Sequence, residues 1–262
     1  MDMGLTGRTA VVTGAGRGIG LAVTRALVAE GARVVAGSRT VTDELRQLTQ
    51  DADVDAVAVD LTSASGPAEL VERAERLHGG LDVLVNNVGA AHVRTGGFLT
   101  VTDDDWEQSL TTTLMTAVRM TRAALPLLLE RGAGNIVTVS SVNAFLPDPQ
   151  VVDYSAAKGA LTNFCKSLSK EFGPRGIRVN TVSPGPVATA LWLGGSGVAA
   201  TVARASGQDP AAVAEEAASA MVTGRFTRPE EVADLVVWLA GDRAANTTGA
   251  DFVIDGGMIT TL

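Results

Sequence analysis

The stretch "RTAVVTGAGRGIGLAVTRALVAE" spans residues 8–30 and changes character twice. Residues 8–13 form a short apolar run rich in β-branched side chains, which is typical of a strand covered on both faces. A glycine-rich segment follows at 13–20, and residues 18–30 then carry apolar side chains at helical spacing. The stretch therefore predicts a buried strand, a tight turn and a helix, the first unit of a parallel α/β sheet.

The glycines of segment 13–20 do not follow the common G-x-G-x-x-G spacing, because Ile19 stands where its third glycine would fall. They read instead as G-x-x-x-G-x-G at Gly14, Gly18 and Gly20. Such a loop lets bare backbone approach a pyrophosphate at the N-terminus of a helix, where N–H groups and the helix dipole favour an anion. A plain strand-to-helix turn is the alternative, and the place after a first parallel strand favours the phosphate loop.

The rest of the chain repeats the alternation of strand and helix. Strands are predicted at 8–13, 33–38, 54–60, 81–87, 134–141, 177–183 and 251–255, and helices near 18–30, 41–50, 67–78, 103–131, 152–173 and 229–240. This order predicts a doubly wound, Rossmann-type parallel sheet of about seven strands with helices on both faces. With no composition break to mark a linker, residues 1–262 are predicted to form a single domain.

One segment departs from this rhythm. Residues 188–226 mix a glycine-rich loop with Ala/Glu-rich stretches near 196–205 and 210–221, which favour short helices. A long insertion after a strand's carboxyl end is where open α/β sheets place a cover over the substrate. We expect residues 188–226 to be a substrate lid.

Composition limits the classes of function. The net charge is -8 with no basic block, which disfavours a nucleic-acid partner. Two histidines and one cysteine are too few for a zinc site, so no metal is expected. No apolar run approaches a membrane span and the N-terminus lacks the build of a signal peptide, so a cytoplasmic protein without membrane contact is expected.

The end of the second predicted strand bears on the choice of dinucleotide. NAD-binding sheets place an acidic residue there to bind the adenosine ribose. Here Ser38 takes that place, Arg39 follows it, and Arg17 lies in the glycine loop. Two guanidinium groups and no carboxylate favour the 2′-phosphate of NADP(H) over NAD(H), and two solvated surface arginines are the less favoured alternative.

The only tyrosine of the chain, Tyr154, precedes Lys158 by four residues in "YSAAK". The two side chains share one face of the predicted helix. A free phenol has a pKa near ~10, and a nearby ammonium lowers it. The pair therefore favours a tyrosine that exchanges a proton.

Taken together, these motifs resemble those of the short-chain dehydrogenase/reductase family over nearly the whole chain. "TGAGRGIG" (13–20) matches TGxxxGxG, Asp60-Leu61 matches a D-[VL] pair, "NNVG" (86–89) is similar to NNAG, and "YSAAK" matches YxxxK. "RVNTVSPGPVAT" (178–189) and residues 224–257 resemble the later family motifs. The layout is similar to 3-oxoacyl-carrier-protein reductases and to many reductases of small molecules.

The resemblance implies roles for individual residues. Ser141, thirteen residues before the tyrosine, would orient a carbonyl that Tyr154 protonates, and Lys158 would also hold the nicotinamide ribose. Ser140 is interpreted as structural. The predicted cofactor-binding residues are Gly14, Arg17, Gly18, Ile19, Gly20, Ser38, Arg39, Asp60, Leu61, Asn87, Gly89, Tyr154, Lys158, Pro184, Gly185, Val187 and Thr189.

One catalytic position departs from the family. Many members carry an asparagine in the helix after the fourth strand, assigned to a water that links the lysine to solvent, and counting from Trp106 places Thr113 there. A threonine hydroxyl can still bind a water or cap a carbonyl. We predict a working but altered proton relay through Thr113.

The resulting hypothesis is an NADP(H)-dependent oxidoreductase that interconverts a small-molecule ketone and a secondary alcohol, and the resemblance implies a homotetramer or dimer. The alternatives are an epimerase or dehydratase on the same fold, or a non-catalytic dinucleotide-binding sensor. A sensor has no need of Ser141, Tyr154 and Lys158 together, so their presence favours the enzyme.

Overall fold

Seven parallel strands form one sheet in the order β3-β2-β1-β4-β5-β6-β7. The computed structural model describes residues 2–261. The strands are β1 (Thr9–Thr13), β2 (Arg33–Ser38), β3 (Val54–Ala58), β4 (Val83–Asn86), β5 (Gly134–Val139), β6 (Ile177–Pro184) and β7 (Asp251–Ile254). Each strand lies inside its predicted range or extends beyond it by one residue. The predicted Rossmann-type parallel sheet is therefore confirmed.

Between residues 2 and 261, ten α-helices connect the strands. They are α1 (Gly18–Ala29), α2 (Asp43–Asp51), α3 (Gly66–His78), α4 (Asp103–Leu110), α5 (Thr116–Glu130), α6 (Val152–Phe172), α7 (Ala190–Leu193), α8 (Val198–Ser206), α9 (Pro210–Ser219) and α10 (Pro229–Ala240). Helices α1 and α10 pack together on one face of the sheet, and α3 packs on α5 on the other.

Both faces of the central strands are buried, which explains their unbroken apolar sequence. Ala10 and Val12 of β1 enter the core beneath α1 and α10, whereas Val11 between them enters the opposite core with α3 and α5. Alternate side chains of a strand point to opposite faces, so a doubly covered strand must be apolar throughout.

The order of the strands reverses beside β1. This strand pairs with β2 on one side and with β4 on the other. Open parallel sheets form a crevice at such a switch point, just beyond the carboxyl ends of the strands. The glycine loop after β1 and the residues after β4 therefore meet at one edge.

The long helix predicted at 103–131 is divided. A capping box between Thr102 and Asp105 starts α4, and a π turn over Thr111–Met115 separates it from α5. Both the backbone N–H and the hydroxyl of Thr116 donate to the carbonyl of Thr111, five residues earlier, instead of the usual four. This turn, which packs against α6, holds Thr113.

No helix within residues 2–261 is both long and apolar enough to cross a bilayer.

Candidate active site

The glycine loop packs tightly enough to require glycine. Gly14 and Gly18 have φ of +67° and +56°, in the left-handed region that other residues rarely adopt. A Cβ on Gly20 would collide with the carbonyl of Gly14. Within residues 2–261 no side chain caps the N-terminus of α1, so its first N–H groups remain available to a phosphate. The half-buried Ile19 packs against the core below.

The end of β2 lies against this loop. Ser38 is buried, and its hydroxyl donates to the carbonyl of Thr40 at 2.6 Å while contacting the loop at Gly16. Arg17 and Arg39 are exposed, and neither forms an ion pair with another described residue. Both guanidinium groups remain available for an anion beside Ser38.

Asp60 and Leu61 follow β3. Leu61 is buried in the core, whereas Asp60 is exposed and accepts hydrogen bonds from the backbone and the hydroxyl of Thr62 at 3.0 and 2.7 Å. Those bonds, with a smaller contribution from the charge of Arg39, hold the pKa of Asp60 below its ordinary value. Arg39 therefore lies within electrostatic reach of the β3 edge.

Asn87 joins the carboxyl ends of β1 and β4. Its side-chain amide donates to the carbonyl of Thr13 at 3.0 Å, and its backbone N–H donates to the Thr13 hydroxyl at 2.8 Å. Gly89 follows, and a Cβ there would stand 3.4 Å from the Lys158 ammonium. Asn87 thus braces the glycine loop, and Gly89 leaves room beside the lysine.

Lys158 is 2% exposed, and its ammonium donates to the Val139 carbonyl at 2.7 Å. The same ammonium lies 5.6 Å from the centroid of the Tyr154 ring. Burial lowers the pKa of Lys158 to about 8. Among residues 2–261, the bond to the Val139 carbonyl is the one hydrogen bond of the Lys158 ammonium, and it fixes the lysine to the end of β5.

The pKa of Tyr154 moves opposite to the direction expected from the nearby lysine. Burial of the phenol raises the pKa of Tyr154 to about 12, and the nearby Ser141 side chain offsets only part of this rise. In the chain by itself, desolvation of the phenolate outweighs the attraction of the ammonium. Tyr154 is therefore held as a neutral hydroxyl, the state of a proton donor.

Ser141 follows β5 by two residues, and its side chain lies close enough to the phenol to lower the pKa of Tyr154 against the rise that burial causes. Ser140 instead shares a hydrogen bond of 2.6 Å with the hydroxyl of Thr162 on α6, in agreement with a structural role. Asn143, which sequence reasoning missed, hydrogen-bonds Ser141 from two residues downstream. Its proximity in "SSVNAF" was the only available signal.

Thr113 is completely buried in the π turn that packs on α6. Its hydroxyl has no hydrogen-bond partner within the part of the chain that is described. An unpaired hydroxyl in a protein interior is usually satisfied by a bound water. A relay through Thr113 stays a prediction.

Residues 184–189 close the site from the β6 side. Pro184 and Val187 are buried, and Gly185 donates its N–H to the Ile254 carbonyl of β7 at 3.0 Å. Thr189 lies against the glycine loop, where its methyl group would be 3.2 Å from a Cβ on Gly18. The structure thereby brings the first and last predicted cofactor segments into contact.

The insertion 188–226 forms α7, α8 and α9 beyond this edge. It is anchored at both ends, since Val187 bridges Thr227 and the ring of Trp192 packs on Phe226 with centroids 5.1 Å apart. Leu191 and Leu193 of α7 are exposed. Residues 188–226 therefore form a partly apolar segment that is held at both ends, and this segment is called the flap.

Arg94, a second residue that sequence reasoning missed, joins three segments. The Arg94 guanidinium forms ion pairs with Asp153 at 2.5 Å and with Asp105 at 2.8 Å. The backbone N–H of Arg94 donates to the Gln150 carbonyl at 2.7 Å. Asp153 is 1% exposed and directly precedes Tyr154. The partners are 59 residues apart in sequence, so no local pattern indicates the contact.

Across residues 2–261, no cluster of three or more His, Cys, Asp or Glu side chains is placed to hold a metal ion. The lone Cys165 is buried below the site, and its burial raises the pKa of the thiol to about 11. The side chains that are predicted to act here are hydroxyls, one ammonium and one amide.

Comparison with known proteins agrees with this arrangement. A family model described as "Enoyl-(Acyl carrier protein) reductase" matches residues 14–259. Oxidoreductase UcpA of Escherichia coli is 35% identical over 260 residues, which cover 97% of this chain and 95% of UcpA. L-xylulose reductase of Bos taurus is 36% identical over 266 residues and 100% of both chains. The structure of L-sorbose reductase from Gluconobacter frateurii, complexed with NADPH and L-sorbose, aligns with a TM-score of 0.92 at 34% identity over 100% of both chains.

Proposed function

The chain belongs to the short-chain dehydrogenase/reductase family of oxidoreductases, and from this premise we propose that it interconverts a ketone and a secondary alcohol with NADP(H). The grouping of Tyr154 with Lys158 and Ser141 carries the proposal, because the Lys158 ammonium lies 5.6 Å from the centroid of the Tyr154 ring and the Ser141 side chain lies close enough to lower the pKa of the phenol. This cluster lies at the edge of the sheet that also holds the glycine loop.

Ser141 and Tyr154 act on the carbonyl oxygen in different ways. Ser141 donates a hydrogen bond that orients and polarises the carbonyl, and Tyr154 delivers the proton that completes the alcohol. When bound, NADPH supplies the hydride that reduces the carbonyl carbon. Lys158 holds its ribose and, with Thr113 and a bound water, returns a proton from solvent to Tyr154.

The preference for NADP(H) rests on the edge of β2. Arg17 and Arg39 are exposed and free of ion pairs within the described residues, and no carboxylate replaces Ser38 to repel a 2′-phosphate. Arg39→Ala is expected to weaken NADPH binding by about tenfold or more while leaving NADH binding almost unchanged. Arg25→Ala, which removes an exposed arginine from α1, is the matched control. Equal losses for both dinucleotides would contradict the preference.

The proposed substrate is a small-molecule ketone, and the flap 188–226 is proposed as its lid. L-xylulose reductase and L-sorbose reductase act on sugar ketones by their names, so such ketones head the panel to be tested. The panel also includes a 3-oxoacyl thioester, which follows from the resemblance to acyl-carrier reductases. We further propose a cytoplasmic homotetramer or dimer, whose mass light scattering measures directly.

Consumption of NADPH with this panel tests the function, with Tyr154→Phe as the diagnostic variant. The substitution removes only a hydroxyl, so we expect folding and NADPH binding to persist while turnover falls by about a hundredfold or more. Tight NADPH binding without turnover of any ketone by the wild type would favour a dinucleotide sensor instead. Full activity of Tyr154→Phe would exclude the proposed proton donor.

A further inference from the structure

A buried carboxylate folds back the segment that follows β7. Asp255 comes directly after this strand and is 9% exposed. Its Oδ1 accepts the backbone N–H of Gly257 at 2.8 Å, and its Oδ2 accepts the backbone N–H of Ile259 at 2.8 Å. Hydrogen bonds to a carboxylate are stronger than those between neutral groups. Asp255 therefore fixes residues 255–259 in a bend, which is called the C-terminal turn.

The C-terminal turn is joined to the last residues of the flap, 221–226, which are called the flap foot. The Gly256 carbonyl accepts the backbone N–H of Thr223 at 3.0 Å. Gly257, with φ of +83°, approaches the foot so closely that a Cβ there would lie 2.8 Å from the Cβ of Val222. Both contacts depend on the shape of the turn, and the two hydrogen bonds of Asp255 maintain that shape.

The flap foot in turn holds α7. Phe226 of the foot is buried, and its ring packs on Trp192 of α7 with centroids 5.1 Å apart. Leu191 and Leu193, on either side of Trp192, are exposed. A continuous series of bonds and contacts therefore leads from the Asp255 carboxylate, through the C-terminal turn and the flap foot, to the exposed apolar side chains of α7.

We propose that Asp255 is a positioning residue for the ketone, because by fixing the C-terminal turn it holds the flap foot and α7 in place. The proposal rests on the proposed function, in which the flap is the lid over the ketone. A flap whose foot is loose must be ordered when the ketone binds, and the entropy lost in that step weakens binding. Asp255 thus acts on the ketone through the flap.

Asp255→Ala separates this role from dinucleotide binding. Apart from the turn, Asp255 packs on Gly185 of the predicted cofactor segment, where its Cα and Cβ both lie 3.0 Å from the position of a Cβ on Gly185. Alanine keeps both of these atoms and removes only the carboxylate. The variant should therefore release the C-terminal turn while NADPH binding stays within about twofold of the wild type.

Trypsin cleavage after Arg225 measures the flap foot without any substrate. Cleavage of the bond between Arg225 and Phe226 requires the buried Phe226 to leave its place, so the rate follows the open fraction of the foot. Asp255→Ala should raise this rate by about tenfold. Arg175, exposed in the loop before β6 at the opposite edge of the sheet, is the reference site and should be cleaved at an unchanged rate.

Three further variants sharpen the comparison. Asp234→Ala, which removes an exposed carboxylate from α10, is the matched control and should change neither cleavage rate. Asp255→Asn keeps one acceptor oxygen, so its cleavage rate after Arg225 should lie between those of the wild type and Asp255→Ala. Gly257→Ala keeps the carboxylate but adds a Cβ against Val222 at a positive φ, and it should raise the rate as Asp255→Ala does.

Steady-state kinetics show whether the foot serves the ketone. Asp255→Ala should raise KM for the ketone by about tenfold, with kcat within about twofold of the wild type. Unchanged cleavage after Arg225, or an equal rise after Arg175, would overturn the proposal. An unchanged KM, or an equal loss of NADPH affinity, would overturn it as well. If the wild type turns over no ketone, the proposed function fails, whereas the trypsin comparison still decides whether Asp255 holds the flap foot.

Discussion

Tyr154 and Lys158 are both displaced from their ordinary ionisation by the same cause. Burial raises the pKa of the phenol to about 12 and lowers that of the ammonium to about 8. Each shift disfavours the charged form, as expected for a buried lysine beside a half-buried tyrosine. Without a bound dinucleotide, the surroundings of Tyr154 and Lys158 therefore keep the proton on the Tyr154 oxygen. A cationic nicotinamide beside the ring would favour the phenolate, and this would return the tyrosine toward the range in which protons exchange.

Thr113 provides a test of the proton relay at the scale of one atom. Leaving its buried hydroxyl without any partner would cost about 1–3 kcal/mol, so we expect a bound water there. Thr113→Val keeps the shape and removes the hydroxyl. If the water feeds Lys158, kcat should fall by about tenfold with little change in KM, and Thr113→Asn should restore turnover.

The pH profile of kcat distinguishes a relay from a packing role for Thr113. A weakened relay makes turnover depend more strongly on pH and solvent deuterium, whereas a packing defect lowers activity equally at every pH. Thr49→Val on the exposed side of α2 is the control for the substitution itself. Unchanged profiles in both Thr113 variants would leave the position without a relay role.

At the scale of elements, Arg94 links the segment after β4, the start of α4 and the start of α6. Asp153 is 1% exposed, so Arg94→Leu leaves a carboxylate unpaired in the interior. Breaking such a pair on one side typically costs 3–5 kcal/mol, roughly the figure expected here in urea unfolding. Because Asp153 precedes Tyr154, kcat should fall in the same variant.

The double variant Arg94→Leu/Asp153→Asn measures whether the pair acts as a unit. With both charges removed, the penalty of the unpaired carboxylate disappears, and the double variant should be more stable than Arg94→Leu alone. Arg46→Leu, which breaks the exposed pair with Asp43 on α2, is the control and should change stability little. Purely additive losses at positions 94 and 153 would show that the contact carries no coupling.

Strands and helices also differ in how well the sequence predicts them. The strands were predictable because most of them are apolar runs bounded by polar or glycine residues, as in "RTAVVTG". The π turn was not, since residues 103–131 continue a helical pattern across Thr111–Met115, and the extra residue is revealed only by the bonds of Thr116. Asn143 and Arg94 were missed because their roles depend on partners that the fold, rather than local spacing, brings near.

At the scale of the whole molecule, the sheet ends on β7 with an exposed edge. Val253 of that strand is 46% exposed, and Phe145 is also exposed beside α6. Edge strands with apolar side chains are normally covered. This supports the proposal of a homo-oligomer, in which a second copy covers the β7 edge.

The burial of Lys158 should also make the stability of the whole chain depend on pH. Its pKa falls from 10.5 to about 8 on folding, so between these values the unfolded chain binds more protons than the folded chain. Stability therefore rises with pH across this window, since the cost of burying the charge is present in full below pH 8 and disappears above pH 10.5. Tyr154 and Cys165 act in the opposite sense over windows that overlap this one, because burial raises the pKa of Tyr154 from 10.0 to about 12 and that of Cys165 from 9.0 to about 11.

Comparing the wild type with Lys158→Met isolates the lysine, because the other groups titrate in both proteins. The free energy of unfolding of the wild type, relative to the variant, should rise by about 3 kcal/mol from pH 8 to 10.5, measured by urea unfolding without dinucleotide. Saturating NADPH should reduce this rise, since ribose hydroxyls beside the ammonium favour its charged form. A difference between the two proteins that stays constant with pH would mean that Lys158 is solvated in the folded chain, and the buried ammonium proposed to hold the ribose would then be excluded.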